Sequence, residues 1–257
     1  MPLNPRITDW QGRRVWLVGA STGIGAALAT LLLARGANVA LSARSADKLE
    51  SLALGRANAL VIPLDATRPE SFAAAHGRIA AAWGGVDLAV YLAGTYTPTR
   101  AWELTVDRAR SHVEANLMGA FNLLPVVLPG LLARGAGGVA LVSSVAGYRG
   151  LPNGLVYGPT KAALINLAEA LYLDLSPKGV GVYLINPGFV ETPMTAQNEF
   201  RMPALITSEA AAAEIVTGLE HGEFEIHFPK RFTGWLKALR HLPYAAYFPA
   251  IRKFTGL

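Results

Sequence analysis

A doubly wound parallel α/β sheet is the fold this sequence predicts, on three observations. Strand-like and helix-like segments alternate along most of the chain, joined by short connections. The strand segments are near-continuous apolar runs, as expected when helices cover both faces of a sheet. The first of them, Val15-Trp16-Leu17-Val18, runs straight into the glycine-rich turn Gly19 to Gly25 and then into a helix. No internal repeat or low-complexity linker interrupts the 257 residues, so one domain is expected over residues 1–228, with a C-terminal extension over 229–257.

Each element follows from its residues. After the first strand, Ile24 to Arg35 reads as a helix ended by Gly36. Asn38 to Ser42 is a strand, Ala46 to Leu54 a helix, and Ala59 to Leu64 a strand. Pro69 to Trp83 is a helix closed by Gly84-Gly85, and Val86 to Leu92 is the next strand. Arg108 to Leu132 is a long helix in which Pro125 and Pro129 predict interruptions. Gly138 to Val142 is a strand, Tyr157 to Leu175 a helix, and Val180 to Ile185 a strand. Ser208 to Glu220 is a helix, and Phe224 to Phe228 a last short strand. Strands and helices in this order build right-handed βαβ units, about seven strands in all, with helices on both faces.

Composition narrows the function. The chain is 52% hydrophobic and 16% charged, which excludes a disordered protein. It has no cysteine, so disulfides, thiolate catalysis and cysteine metal sites are excluded, and a reducing cytoplasm is the expected home. The histidines, His112 and His241 among them, fall at no ligand spacing, so no metal is expected. The N-terminus has no apolar signal-peptide core, and no run of about 20 uncharged apolar residues predicts a membrane span.

The net charge of +5 is local. Residues 229–257 hold six bases (Lys230, Arg231, Lys237, Arg240, Arg252, Lys253) and no acid. Subtracting them from 23 leaves 17 bases against 18 acids in residues 1–228. The body is close to neutral, which argues against nucleic acid as a partner.

Two stretches carry chemistry. The first is Gly19-Ala20-Ser21-Thr22-Gly23-Ile24-Gly25, set between strand and helix, where backbone N–H groups at a helix N-terminus can receive a phosphate. The second is Tyr157-Gly158-Pro159-Thr160-Lys161 at the start of a helix. Positions i and i+4 share a face, and a cation beside a phenol of ordinary pKa about 10 favours the phenolate. Taken alone, such a pair is far more often a surface Tyr lying on a Lys stem.

The ordered set of motifs is similar to that of the short-chain dehydrogenase/reductase family. Beyond G-x-x-x-G-x-G, it comprises Asp65 in Pro-Leu-Asp-Ala-Thr, Ala93-Gly94 after the fourth strand, and Asn116 in the long helix. Ser143-Ser144, Tyr157 and Lys161, and Pro187-Gly188 with Val190 and Thr192 follow, so the likeness covers about residues 12–228. The resemblance implies a Rossmann-type fold and a catalytic set of Ser144, Tyr157, Lys161 and Asn116. Tyr157 would be the general acid/base and Ser144 would orient the substrate oxygen. Lys161 would lower the phenol pKa and bind the nicotinamide ribose, and Asn116 would support a proton relay.

The implied cofactor contacts are Gly19, Ser21, Thr22, Gly23, Ile24, Gly25, Arg44, Asp65, Ala93, Gly94, Tyr157, Lys161, Pro187, Gly188, Val190 and Thr192. Two positions depart from the pattern: Val18 stands where Thr is common, and Tyr91-Leu92 where Asn-Asn is usual. A lost hydrogen-bond arrangement replaced by packing is expected there.

The second strand ends Ser42-Ala43-Arg44-Ser45, with no acid before Asp47. A carboxylate at this place would select NAD by accepting from the ribose 2′-hydroxyl, whereas Arg44 suits a 2′-phosphate. NADP(H) is therefore the expected cofactor, and reduction the direction the resemblance implies. Thr95 to Thr97, Val145 to Arg149, Phe189 and a short lid from Glu191 to Leu205 are expected on the substrate side. Their largely apolar character, with only Arg149, Glu191, Glu199 and Arg201 charged, favours an apolar carbonyl compound.

The expected activity is NADPH-dependent reduction of a ketone, aldehyde or 3-oxo compound; the alternative is a dinucleotide-binding protein without catalysis. A homodimer or homotetramer is expected through the long helix and the helix after Tyr157, whose Leu164, Leu167, Ala168 and Leu171 form an apolar stripe. In the extension, Trp235, Leu236, Leu239 and Leu242 form a stripe with Lys237, Arg240 and His241 opposite. Such a segment, broken at Pro243 and Pro249, either lies on a membrane surface or packs on its own body or a neighbouring subunit.

Overall fold

The computed structural model describes residues 2–198, 200 and 202–255. Its strands are β1 (Arg14–Val18), β2 (Asn38–Ser42), β3 (Ala59–Val61), β4 (Leu88–Tyr91), β5 (Gly138–Val142), β6 (Gly181–Pro187) and β7 (Glu225–Phe228). They form one parallel sheet in the order β3-β2-β1-β4-β5-β6-β7. The helices are α1 (Gly23–Ala34), α2 (Ala46–Ala53), α3 (Pro69–Trp83), α4 (Val106–Val113), α5 (Gly119–Arg134), α6 (Tyr157–Leu175) and α7 (Ser208–His221). Two more, α8 (Lys230–Leu239) and α9 (Tyr244–Thr255), make up the extension. The doubly wound parallel fold expected from sequence is the fold observed.

Strand alternation divides the core in two. Trp16, Val18, Tyr91, Leu141 and Leu184 point to the side covered by α3, α5 and α6. Leu17, Leu41, Val90, Ala140 and Ile185 point to the side covered by α1 and α7. This explains why every strand reads as unbroken apolar sequence: with both faces covered, no position is left for a polar alternation.

Most boundaries fall within two residues of expectation, and the larger differences are in the strands. β3 and β4 are shorter than the apolar runs that contain them, and β6 continues to Pro187. Pro125 and Pro129 do not interrupt the long helix: both sit on its solvent-exposed face inside a continuous α5. There the carbonyls that proline deprives of a partner can turn to water. The irregularity falls earlier, as a π-helical turn over Glu114–Met118. The helical stretch Val106–Arg134 is long and apolar enough to cross a membrane by length and composition. Leu123, Leu124, Val127 and Leu131 are nonetheless buried in the core, which makes it a central helix of this fold.

The extension is laid onto the body. Thr233 and Leu236 of α8 are buried, as are Tyr247 and Ile251 of α9. Pro249 lies inside α9 and does not break it; the turn between the helices contains Pro243. Lys237, expected to face outward, turns in and donates to Glu225 of β7 at 2.6 Å.

Candidate active site

Strand order reverses between β1 and β4, whose neighbours lie on opposite sides, and a crevice opens beyond the carboxyl ends at that point. The cleft found there has a volume of about 760 Å³. All the cofactor-contact positions expected from sequence lie on its walls, and so does Ser144. Asn116 does not: it is fully buried behind the wall.

One half of the cleft is a cradle of backbone. Gly19 has φ of +104°, and a Cβ there would stand 2.5 Å from the Ala93 amide nitrogen, so only glycine lets the turn pass over β4. The turn delivers the chain to α1, whose N-cap, Thr22, makes no side-chain capping bond and whose first turn holds no acid. The first N–H groups of α1 therefore point, uncapped, at the cleft, which suits a pyrophosphate. Arg44 and Ser45 line the same end, at the tip of β2. Asp65 lies there too, but its carboxylate accepts from both the amide and hydroxyl of Thr67. Those bonds, with Arg44 and Arg68 nearby, hold it below the usual carboxylate range. The residues fit a dinucleotide.

The other half carries the acid/base group. Tyr157 opens α6 and Lys161 follows one turn later on the same face. Ser144 lies two residues past the end of β5, where its hydroxyl accepts from the Ala146 amide at 3.1 Å while lining the cleft. The Lys161 ammonium donates to the Val142 carbonyl at 2.9 Å and sits 5.5 Å from the centre of the Tyr157 ring. Ser143 supports the arrangement by donating to the Lys161 carbonyl at 2.7 Å. The Tyr96 ring meets Tyr157 edge-on at 5.1 Å.

Burial dominates both pKa values. It pushes the Tyr157 phenol up to about 12, partly offset by Ser144 and reinforced by Tyr96. This is opposite to the expectation that Lys161 would bring the phenol down. The phenol is thus protonated at neutral pH and can donate. Burial lowers Lys161 to about 8. The same burial has a stability consequence with a definite sign. Below pH about 8 Lys161 is charged both folded and unfolded, and the fold carries a desolvation cost of about 3 kcal/mol, from 1.36 kcal/mol per pKa unit. Above that pH the folded state loses its proton first, so this contribution becomes less unfavourable up to the unfolded pKa of 10.5. Lys161→Met is expected to abolish turnover yet raise the melting temperature at pH 7 by several degrees, the lost bond to Val142 offsetting part of the gain. Calorimetry at pH 7 and pH 10 checks it: the gain should shrink at the higher pH.

Asn116 sits in the π-helical turn, a local irregularity often found at functional positions. Its amide donates to the Thr95 carbonyl and the Thr160 hydroxyl, each at 3.0 Å, and its oxygen accepts from the Thr95 amide at 2.6 Å. Asn116 thereby ties the loop after β4 to α6, behind Gly94. Tyr91, a departure from the family pattern, resolves differently from the expected loss of hydrogen bonding. Its hydroxyl donates to the Ala115 carbonyl of the π turn at 2.5 Å, and a side chain at Gly119 would overlap it. The position exchanges one polar partner for another.

The expected substrate side is only partly assembled. Thr95, Ser144 and Met194 line the cleft, but Tyr148 and Arg149 do not. Tyr148 donates to Glu225 at 2.6 Å, and Asn186 and Lys237 share that carboxylate. Arg149 donates to the Arg240 and Leu242 carbonyls at 3.1 and 2.6 Å and stacks on Tyr244 and Tyr247, tying down the end of α8. Glu199 and Arg201 lie outside the described residues. Arg110 and Ser111 of α4 line the cleft without any warning in sequence, because no motif marks them.

With this geometry in hand, the relatives are informative. The short chain dehydrogenase family model matches residues 13–202, and the chain belongs to that family. It is 34% identical over 245 residues to an uncharacterized oxidoreductase of Myxococcus xanthus, covering 94% of this chain and 97% of the relative. An uncharacterized oxidoreductase of Staphylococcus haemolyticus is 31% identical, covering 83% of this chain and 93% of the relative. Among solved structures, a short-chain dehydrogenase from Streptomyces avermitilis superposes with a TM-score of 0.78 at 25% identity, with 94% of each chain covered. ElxO with NADP bound shares the fold, with a TM-score of 0.76 at 21% identity, covering 84% of this chain and 98% of that one. The chain is an oxidoreductase of the short-chain dehydrogenase family.

Proposed function

We propose that this protein is an NADPH-dependent reductase of apolar carbonyl compounds. The observation that carries the reading is the convergence of Ser144, Tyr157 and Lys161 on one wall of a cleft whose other end is a phosphate cradle with Arg44 at its rim. The dinucleotide supplies the hydride. The chain supplies the rest: the Ser144 and Tyr157 hydroxyls bind the carbonyl oxygen, and Tyr157 gives its proton to the alkoxide that forms. Lys161 provides the positive charge that makes that proton transfer less costly. Arg44 favours the 2′-phosphate because β2 ends with no acid before Asp47, and the nearby Asp65 turns its carboxylate to Thr67. Following NADPH oxidation against ketones, aldehydes and long-chain 3-oxo compounds tests the reading. Turnover with NADPH well above NADH supports it; tight dinucleotide binding without turnover of any of them favours a binding protein.

The assembly belongs to the same proposal. The stripe Leu164, Leu167, Ala168 and Leu171 is used by the subunit's own core, with Leu164 and Ala168 fully buried. What α5 and α6 leave to solvent includes Phe121, Leu132 and Leu173, the last 74% exposed. These are the residues a two-fold partner would cover. Light scattering at micromolar concentration is expected to give at least a dimer, and Leu173→Glu with Phe121→Glu to give a monomer.

A further inference from the structure

The outer face of the extension is unlike the rest of the surface. Its inner side is fixed by Leu236, Tyr247 and Ile251, by the Lys237–Glu225 pair and by Arg149. On the outer side the Trp235 and Phe254 rings meet at 4.6 Å, 40% and 48% exposed. Arg231 precedes Trp235 by one turn of α8, and Arg252 and Lys253 adjoin Phe254 on α9, all three exposed. No acid occurs after Glu225, and the two acids just before the extension already meet bases, Glu223 with Lys230 and Glu225 with Lys237. An exposed aromatic pair beside bases that meet no acid among the described residues is the chemistry of an anionic lipid interface, where indole and phenyl rings sit at headgroup depth and bases meet phosphate. A nucleic acid or an acidic protein would use the bases but has less use for the rings.

This face is connected to the cleft. Phe232, one turn before Trp235, has its ring 5.7 Å from Phe189, which in turn meets the half-exposed Phe200 at 5.7 Å. Phe232 also covers Gly188, a residue of the cleft wall: a Cβ there would lie 3.1 Å from the ring. An aromatic group thus runs from the cleft wall to Phe232 of α8, one helical turn from Trp235 and the basic patch. We propose that the α8–α9 face docks the enzyme on anionic membrane surfaces, setting the aromatic side of the cleft toward the bilayer from which an apolar carbonyl compound would enter. Of the stripe legible in sequence only Trp235 is placed against lipid, because Leu236 and Leu239 face the body.

The docking half stands without any catalysis, while the entry half rests on the proposed reductase activity. The test is sedimentation of the full chain with vesicles of equal parts phosphatidylglycerol and phosphatidylcholine, against phosphatidylcholine alone. Binding to the anionic vesicles only, weakened by salt, is expected. Arg252→Gln with Lys253→Gln should weaken it on the order of tenfold, since each base near such a surface contributes about a fivefold factor. Trp235→Ser with Phe254→Ser should weaken it comparably, and the melting curve of each variant shows that the fold is retained. No binding of the wild type at low salt, or binding as tight as wild type by both double variants, overturns the docking proposal. Displacement by single-stranded DNA, with the aromatic variant unaffected, overturns it in favour of a general polyanion site. If vesicles bind but NADPH oxidation fails on every carbonyl compound, the reductase reading fails and the docking surface remains.

Discussion

Replacing Tyr157 by Phe is expected to reduce carbonyl turnover by about 10²- to 10⁴-fold, the range a positioned general acid supplies. The ring packing against Tyr96 survives the change, and so does the Lys161 bond to Val142, so NADPH affinity should stay within a few-fold of wild type. Only the proton is lost. Because burial holds the phenol near 12, the wild-type rate of reduction should not fall through loss of that proton anywhere in the neutral range. A fall above pH about 8 would instead mark the loss of charge on Lys161, whose folded pKa lies there. Steady-state rates across pH 6 to 10, with cofactor binding measured separately, resolve the two effects. Wild-type kcat in Tyr157→Phe would remove the residue from the mechanism.

Arg44→Asp is the second large effect. A guanidinium facing a phosphate makes charge-assisted bonds worth about 1.5–3 kcal/mol, and a carboxylate in its place adds repulsion. Arg44 is exposed at the rim, where solvent screens part of this, so NADPH affinity is expected to fall roughly 10- to 100-fold. NADH carries no 2′-phosphate and should bind within a few-fold of its original affinity, since the new carboxylate can accept from a ribose hydroxyl. Parallel titrations decide: equal losses for both dinucleotides would show that Arg44 supports the cradle generally and does not read the phosphate.

The fold was legible because its signals are local and redundant. Apolar runs such as Val15 to Val18 and Val180 to Ile185 admit little but buried strands between helices, and Gly19 to Gly25 marks the first βα turn. Ser144, Tyr157 and Lys161 were legible only through the resemblance to the family, because the Tyr157–Lys161 spacing alone fits a surface pair as well. The fold then brings them together, with Ser144 just past β5 and the other two on the first turns of α6.

What escaped depends on contacts distant in sequence. Tyr91 looked like a purely apolar replacement because its partner, the Ala115 carbonyl, exists only where the helix forms a π turn. Arg149 and Lys237 looked like a pocket cation and a surface cation. The first holds the end of α8, and the second joins a carboxylate already shared by Tyr148 and Asn186. Pro125 and Pro129 looked like breaks, and only their placement on the exposed face of α5 shows why the helix continues. Helical periodicity likewise identified the stripes of α6 and α8, but which body a stripe packs on is decided by tertiary placement.

The central claim is that this cleft passes hydride from NADPH to a carbonyl carbon with Tyr157 as the proton donor. Its most direct test uses NADPH deuterated at the hydride-donating carbon, incubated with the panel of carbonyl compounds, with the alcohols analysed by mass spectrometry. The account predicts deuterium on the new carbinol carbon with the wild type, and a yield reduced at least 100-fold with Tyr157→Phe. Saturable NADPH binding with no label in any alcohol, or equal labelling by the two proteins, would contradict it.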